Sequence, residues 1–204
     1  MNSIFNQSHT SFEVIVVDDG STDRSGEIVQ SFQGVRYFKT KNQGVGAARN
    51  LAIRHSNHPL VAFIDQDDLW PTNSLMKRIQ YLASTPHANL VIGKQKWFLD
   101  GLSEAPDWVR THQMGKELDG YLLGCTLIKK KLFKKYGDFD PTFRFAGDFD
   151  WFFRLLDSDE IIHQIEDVVL EKRIHKNNET HKVKESLKDL SRALFRSIQR
   201  KRNK

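Results

Sequence analysis

Short apolar runs, each closed by polar or acidic residues, organise the first half of the chain. Residues 12–17 (FEVIVV) are rich in β-branched side chains and stop at Asp18-Asp19-Gly20-Ser21, which predicts a strand running into a loop. Helical spacing follows over 23–32, a second strand over 35–39, a turn at 42–46 and a helix over 47–55. Residues 60–64 (LVAFI) predict a buried strand that ends abruptly at Asp65-Gln66-Asp67-Asp68, before a helix from about Thr72 to Ala83. Strand and helix in alternation predict a parallel sheet with helices on its faces.

Beyond Asn89 the pattern is less regular. Residues 90–98 (LVIGKQKWF) read as a strand, 99–119 as a loop rich in acid and Trp, and 121–130 as another strand. Helices follow at about 130–136 and 148–157, then a strand over 161–170. At the end, Val183, Leu187, Leu190, Leu194 and Ile198 recur in steps of three and four, one apolar helical stripe. Lys184, Lys188, Arg192, Arg196 and Arg200 fall mostly off that stripe, so the segment predicts a basic amphipathic helix.

Charge sharpens this division. The 204 residues carry a net +5, yet residues 172–204 hold 12 Lys/Arg against Glu179, Glu185 and Asp189, which makes that stretch +9 and the remainder −4. A basic tail on a mildly acidic body gives no reason to expect nucleic-acid binding. The tail either packs its stripe on the body, leaving its cations in water, or lies on an anionic membrane surface. A hydrophobic fraction of 39% with only 5 Pro and 12 Gly excludes collagen and wholesale disorder. The lone Cys125 excludes an internal disulfide or a multi-thiolate zinc site and suits a reducing compartment. No apolar run approaches the roughly twenty residues that span a bilayer, and the N-terminus lacks the pattern of a signal peptide, so a cytoplasmic protein is expected.

The candidate chemistry sits at the strand ends, where open parallel sheets bind ligands. Two predicted strands end in acids, Asp18-Asp19 and Asp65-x-Asp67-Asp68. Carboxylates crowded together either raise one another's pKa or recruit a divalent cation, and an all-oxygen set suits Mg²⁺ or Mn²⁺. The alternative role for such acids is capping of the helices that follow. Asp148 and Asp150 open an aromatic helix (GDFDWFFRL), where Trp151, Phe152 and Phe153 offer a dry wall for a basic carboxylate. Gly44-Val45-Gly46-Ala47-Ala48-Arg49 approaches a dinucleotide fingerprint but places Arg49 at the third glycine.

Taken in order, EVIVVDDGSTD, NQGVGAARNLAI, FIDQDDLW, GCTLIKKKLFKKYGDFDPTFRFAGDFDWFFRL and RIHKNNET resemble the successive motifs of family 2 glycosyltransferases, over nearly the whole chain from residue 3 to 180. The resemblance implies an α/β fold of the GT-A type, a mostly parallel sheet with helices on both faces, followed by the C-terminal amphipathic helix. It implies a glycosyltransferase domain over 1–180 and a basic tail over 181–204. Asp18 and Asp19 then match the acidic pair that contacts the base and ribose of a nucleotide-sugar. Asp65 and Asp67 match the DxD motif that holds Mn²⁺ or Mg²⁺ on the donor diphosphate, with Asp65 also near the ribose, and His175 matches the histidine that completes the metal shell. Asp148 matches the general base of inverting members, and Gly124 a glycine beside donor and acceptor. The implied activity is transfer to an acceptor hydroxyl of a glycan or lipid-linked molecule, at the inner face of the membrane if the tail is a membrane anchor.

Two departures stand out. Gly147 occupies the place of an acid that usually precedes the base, and the resemblance starts late, so that an opening central strand and most of a helix, roughly thirty residues, precede the matched region in the family. Two other classes remain open at this point. A haloacid-dehalogenase-type phosphohydrolase would use FIDQDD as its nucleophile motif, and a shortened, non-catalytic binding module would need no complete sheet.

Overall fold

The computed structural model describes residues 1–107, 109, 111–178 and 183–204, with the side chains of Thr111 and Val183 also set aside. Along the chain run α1 (Asn2–Phe5), β1 (Val14–Asp18), α2 (Ser25–Gln30), β2 (Val35–Lys39), α3 (Val45–His55), β3 (Leu60–Val61) and α4 (Ser74–Ser84). They continue with β4 (Leu90–Leu99), β5 (Glu117–Leu118), β6 (Thr126–Lys129), α5 (Lys131–Tyr136), α6 (Gly147–Leu156), β7 (His163–Ile174) and α7 (Val183–Arg202). The strand expected over 60–64 shortens to two residues. The one expected over 121–130 divides into a 3-10 turn, Leu123–Cys125, and β6. Trp108, a candidate sugar platform, and the expected boundary at residue 180 lie outside the described residues.

These elements form two compact units. The first comprises Met1–Thr10, Ala62–Lys129 and Ile161–Val183, the second Ser11–Val61, Lys130–Glu160 and Lys184–Lys204.

In the first unit β4 is central. β7 runs parallel along one of its edges (Val91↔His163 to Leu99↔Ile174), and β5 and β6 lie antiparallel along the other. The sheet is therefore mixed rather than mostly parallel, because β6 returns to β4 in the antiparallel sense. The run LVI of β4 is fully buried, as are Ile128, Val169, Leu170 and Ile174, which accounts for its unbroken apolar stretch. At Gly93 the β4–β7 register slips, and a Cβ there would lie 2.6 Å from the Val169 methyls, so only glycine fits. Arg78 of α4 is fully buried and forms no ion pair among the described residues. It donates to the carbonyls of Ser74 and Thr126 and stacks 4.7 Å above Trp70, whose indole N–H reaches the Gly124 carbonyl at 3.0 Å.

In the second unit β1 and β2 pair in parallel, Val14↔Val35 through Asp18↔Lys39. Its core is aromatic. Trp151 of α6 is wholly buried, stacked at 4.6 Å on Phe133 of α5 and close to Phe139, with its indole N–H on the Gly137 carbonyl at 3.0 Å. Asn50 of α3 grips the backbone of Phe139 twice, donating to its carbonyl at 2.8 Å and accepting from its N–H at 2.9 Å. Ala193 of α7 is buried with Phe143 and Ala146, and Leu190 packs beside them.

Candidate active site

In the first unit the acid run of residues 65–68 forms a turn pinned by a bridge between Leu69 and Glu171 of β7. The three carboxylates separate there by burial. Asp65 is exposed, Asp67 half-buried and Asp68 buried. Asp68 accepts the Arg173 backbone N–H at 3.0 Å and lies 3.6 Å from Lys172 Nζ. Burial pushes its carboxyl up to about 6 against the pull of Lys172. Asp68 therefore ties the turn to β7, and neither it nor the exposed Asp65 lines the neighbouring cleft.

Asp67 meets His175 just past the end of β7, with Nε2 and Oδ2 3.0 Å apart. The imidazole Nδ1 accepts the Asn177 backbone N–H at 3.2 Å, which assigns the proton to Nε2 and makes it the donor to Asp67. Asn178 holds the pair together. Its amide donates to Asp67 Oδ2 at 3.2 Å and to the Arg173 carbonyl, while its Oδ1 accepts the His175 backbone N–H at 2.7 Å. Asp67 and His175 line a cleft of about 520 Å³ with Asp100, Gly101, Arg173, Lys176 and Asn177. Arg173 is anchored there by Asp100 at 2.5 Å and by the Asp67 carbonyl at 2.6 Å.

The same pair would suit a divalent cation once the imidazole proton moves from Nε2 to Nδ1, which gives up the Asn177 contact. Adjacent ligands about 2.1 Å from an octahedral ion stand about 3.0 Å apart, the separation of Nε2 and Oδ2 here. No group of three His, Cys, Asp or Glu side chains converges for a metal among the described residues. Such a cation bound here would draw its remaining ligands from water and substrate phosphates, the usual arrangement for Mg²⁺.

Gly124 sits in the 3-10 turn, and a Cβ on it would press on the Leu170 methyls at 3.0 and 3.1 Å. Packing on β7 thus favours a residue without a side chain there.

In the second unit Asp18 ends β1. Its Oδ1 accepts the Ser21 N–H at 2.6 Å and its Oδ2 the Tyr37 hydroxyl at 2.5 Å. The Tyr37 hydrogen bond holds the carboxyl down at about 2, with Ser21 and Lys39 adding to the effect. Asp19 orders the loop before α3, accepting from Thr40 Oγ1 and from the backbone N–H groups of Gln43 and Gly44 at 2.7–2.9 Å. Gly44 has φ of 91°, a left-handed conformation that favours glycine and lets its N–H face Asp19.

A carboxylate held below its unfolded value stabilises the fold above that value and loses this contribution as pH falls toward the folded one. Tyr37→Phe is therefore expected to lower the urea midpoint at pH 6. The gap from wild type should close as pH drops from about 4 to about 2. Urea titrations across this range check it.

Asp148 opens α6, half-buried, with Oδ1 accepting the Phe149 N–H at 2.9 Å. Its neighbour Asp150 is structural, buried and paired with Arg154 at 3.1 Å and with Arg200 at 3.8 Å. Trp151 and Phe152, expected as a wall for a carboxylate, belong to the core. A Cβ on Gly147 would meet Phe143 at an ordinary 3.6 Å, so packing does not explain the glycine there.

The Glycosyl transferase family 2 pattern matches residues 1–156. The chain belongs to this family. The phosphohydrolase alternative gives way to that membership. An uncharacterized glycosyltransferase of Rickettsia typhi is 28% identical over 187 residues, covering 86% of this chain and 58% of that protein. A putative teichuronic acid biosynthesis glycosyltransferase of Bacillus subtilis, TuaG, is 33% identical over 87 residues, 40% of this chain and 34% of its own length. The chain thus spans little more than half the length of the Rickettsia typhi relative. Among solved structures, S. aureus TarS 1-349 in complex with UDP-GlcNAc superposes with a TM-score of 0.71 at 20% identity, over 88% of this chain and 55% of that one. The mannosyltransferase PcManGT of Pyrobaculum calidifontis, in complex with GDP-Man and Mn²⁺, gives 0.71 at 19% identity, over 97% and 59%. The family 2 chain shares the α/β fold of these GT-A glycosyltransferases.

Proposed function

We propose that this chain is an inverting glycosyltransferase that moves a sugar from a nucleoside diphosphate donor to a hydroxyl of a glycan or lipid-linked acceptor, in the cytoplasm. The observation that carries the reading is the meeting of Asp67 and His175, 108 residues apart in sequence and 3.0 Å apart in the fold, in a cleft flanked by Arg173 and Lys176. Family membership supports it, as do the nucleotide-sugars bound by the two similar structures.

Asp67 and His175 are the residues that would hold Mn²⁺ or Mg²⁺, with Asp65 of the same turn as the third ligand that the family resemblance implies. Bound there, the ion would supply positive charge against the diphosphate leaving group. Arg173 and Lys176 add cationic donors for phosphate oxygens. Asp18 and Asp19 take the base and ribose, Asp18 as a firmly ionised acceptor, and Gly124 offers its backbone beside the donor. Asp148 receives the proton of the acceptor hydroxyl as that oxygen attacks the anomeric carbon. The bond from that carbon to the diphosphate oxygen breaks with its electron pair leaving on the diphosphate, and the configuration inverts.

Calorimetric titration of UDP and GDP in Mn²⁺ buffer tests the assignment. Asp67→Asn is expected to weaken nucleotide binding at least about 100-fold, the upper end of what even outer-shell substitutions cost a metal site. Unchanged affinity in that variant would overturn the metal assignment.

A further inference from the structure

The terminal helix α7 presents Leu187, Leu194 and Ile198 of its apolar stripe to solvent, while Leu190 packs on the fold beside Arg192, Arg196 and Arg200. Leu187, Leu194, Phe195 and Ile198 are 55, 49, 59 and 41% exposed. On the opposite side, Ala193 and Ser197 are buried, Arg196 binds Asp140 at 2.6 Å and Arg200 binds Asp157 at 2.7 Å. Arg192 lies 3.9 Å above the Phe143 ring, and Asp189 accepts the backbone N–H groups of Arg144 and Phe145. The helix is therefore fixed to its unit through charge and a short apolar seam. Its larger apolar face has no protein against it among the described residues.

The cations divide in the same way. Arg192, Arg196, Arg200, Lys201 and Lys204 have carboxylate partners, whereas Lys184, Lys188 and Arg202 form no ion pair among the described residues. Lys184 stands three residues before Leu187, Lys188 seven before Phe195 and Arg202 four after Ile198. These spacings set the three on or beside the exposed stripe.

We propose that this face of α7 is a docking surface for an anionic membrane. The four apolar side chains would enter the headgroup boundary, and Lys184, Lys188 and Arg202 would extend to lipid phosphates. Charge complementarity selects this occupant. A second copy packed face to face would bring the same three cations against their counterparts, a like-charge contact that opposes association. Four half-exposed side chains also fall short of the roughly 800 Å² per partner that a stable protein interface buries, whereas a bilayer needs no complementary shape. No helix among the described residues is long and apolar enough to cross a membrane, so the surface would be peripheral.

The test is sedimentation of the full chain with vesicles of phosphatidylglycerol and phosphatidylcholine, and with phosphatidylcholine alone, at low and high salt. The expected result is binding to the anionic vesicles that weakens as salt rises. The variant K184Q/K188Q/R202Q is expected to bind about 100-fold more weakly, the change for about 1 kcal/mol per basic residue near an anionic surface. F195S/I198S should also lose binding. All five side chains lie outside the ion pairs that fix α7, so both variants should melt as the wild type does. Equal sedimentation of wild type and both variants with anionic vesicles would overturn the proposal. So would a wild-type dimer by analytical ultracentrifugation that F195S/I198S converts to monomer with vesicle binding unchanged, which would assign the face to a second copy. The readout is independent of sugar transfer, so either proposal can fail without the other.

Discussion

Asp148→Asn is expected to lower the rate of sugar transfer by about 10²- to 10⁴-fold, the usual contribution of a positioned general base, while calorimetry finds UDP and GDP binding unchanged. The amide keeps the size of the side chain, and its Oδ1 can still accept the Phe149 N–H, so α6 should remain intact. What the amide lacks is a site that accepts the acceptor's proton. Loss of nucleotide affinity in step with activity would give Asp148 a binding role instead, and full activity would remove it from the chemistry.

Trp151→Ala should cost the most stability of any single change, about 3–5 kcal/mol of a total that for such domains is about 5–15 kcal/mol. The indole is wholly buried, stacked on Phe133 and hydrogen-bonded to Gly137. Its removal leaves a cavity among Phe133, Phe139 and Phe152 and strips the Gly137 carbonyl of its donor. Urea denaturation should show a lower midpoint, and near-ultraviolet circular dichroism a loss of the aromatic signal. Trp151→Phe should restore most of the midpoint by refilling the cavity. An unfolding free energy within about 1 kcal/mol of wild type for the alanine variant would mean that the cluster relaxes to close the space.

Local pattern made β1, β2, α3, α4 and β4 readable, because each has the period of its own structure and ends on turn or acidic residues. Residues 121–130 misled for the opposite reason. Their apolar character is continuous, but the chain turns at Leu123–Cys125, where Gly124 lies against Leu170, 46 residues away in a contact that no window contains. The same limit applies to α7. Periodicity identified its apolar stripe correctly and left open which side faces the fold. That choice is made by Asp140 and Asp157, which capture Arg196 and Arg200 from 56 and 43 residues away.

The site shows both outcomes. Asp67 and His175 were legible through the family resemblance, and the fold brings them together. Asp68 has the same side chain as Asp67 one residue on, and only the Arg173 N–H and burial separate their roles. Tyr37 and Asn178, which hold Asp18 and the Asp67–His175 pair, carried no signal beyond being polar residues near strand ends. Arg78 reads as an ordinary charge on the polar side of a helix, because nothing local announces that Trp70 and two carbonyls enclose it.

The threading of the chain through its units bears on synthesis. Each unit is assembled from three separate stretches of sequence, so a ribosome cannot deliver either one whole before the other has begun. β4 emerges about seventy residues before the β7 edge that covers it. Until then the edge of its LVI run that β7 covers stays unpaired, even after β6 has joined the other edge, and an open edge of high β-propensity is the kind of segment that pairs with neighbouring nascent chains. The parallel pairing that closes it spans a long loop and is slow to form. Chains arrested between β4 and β7 should therefore be the ones that chaperones hold, and release should follow once residue 174 has cleared the exit tunnel.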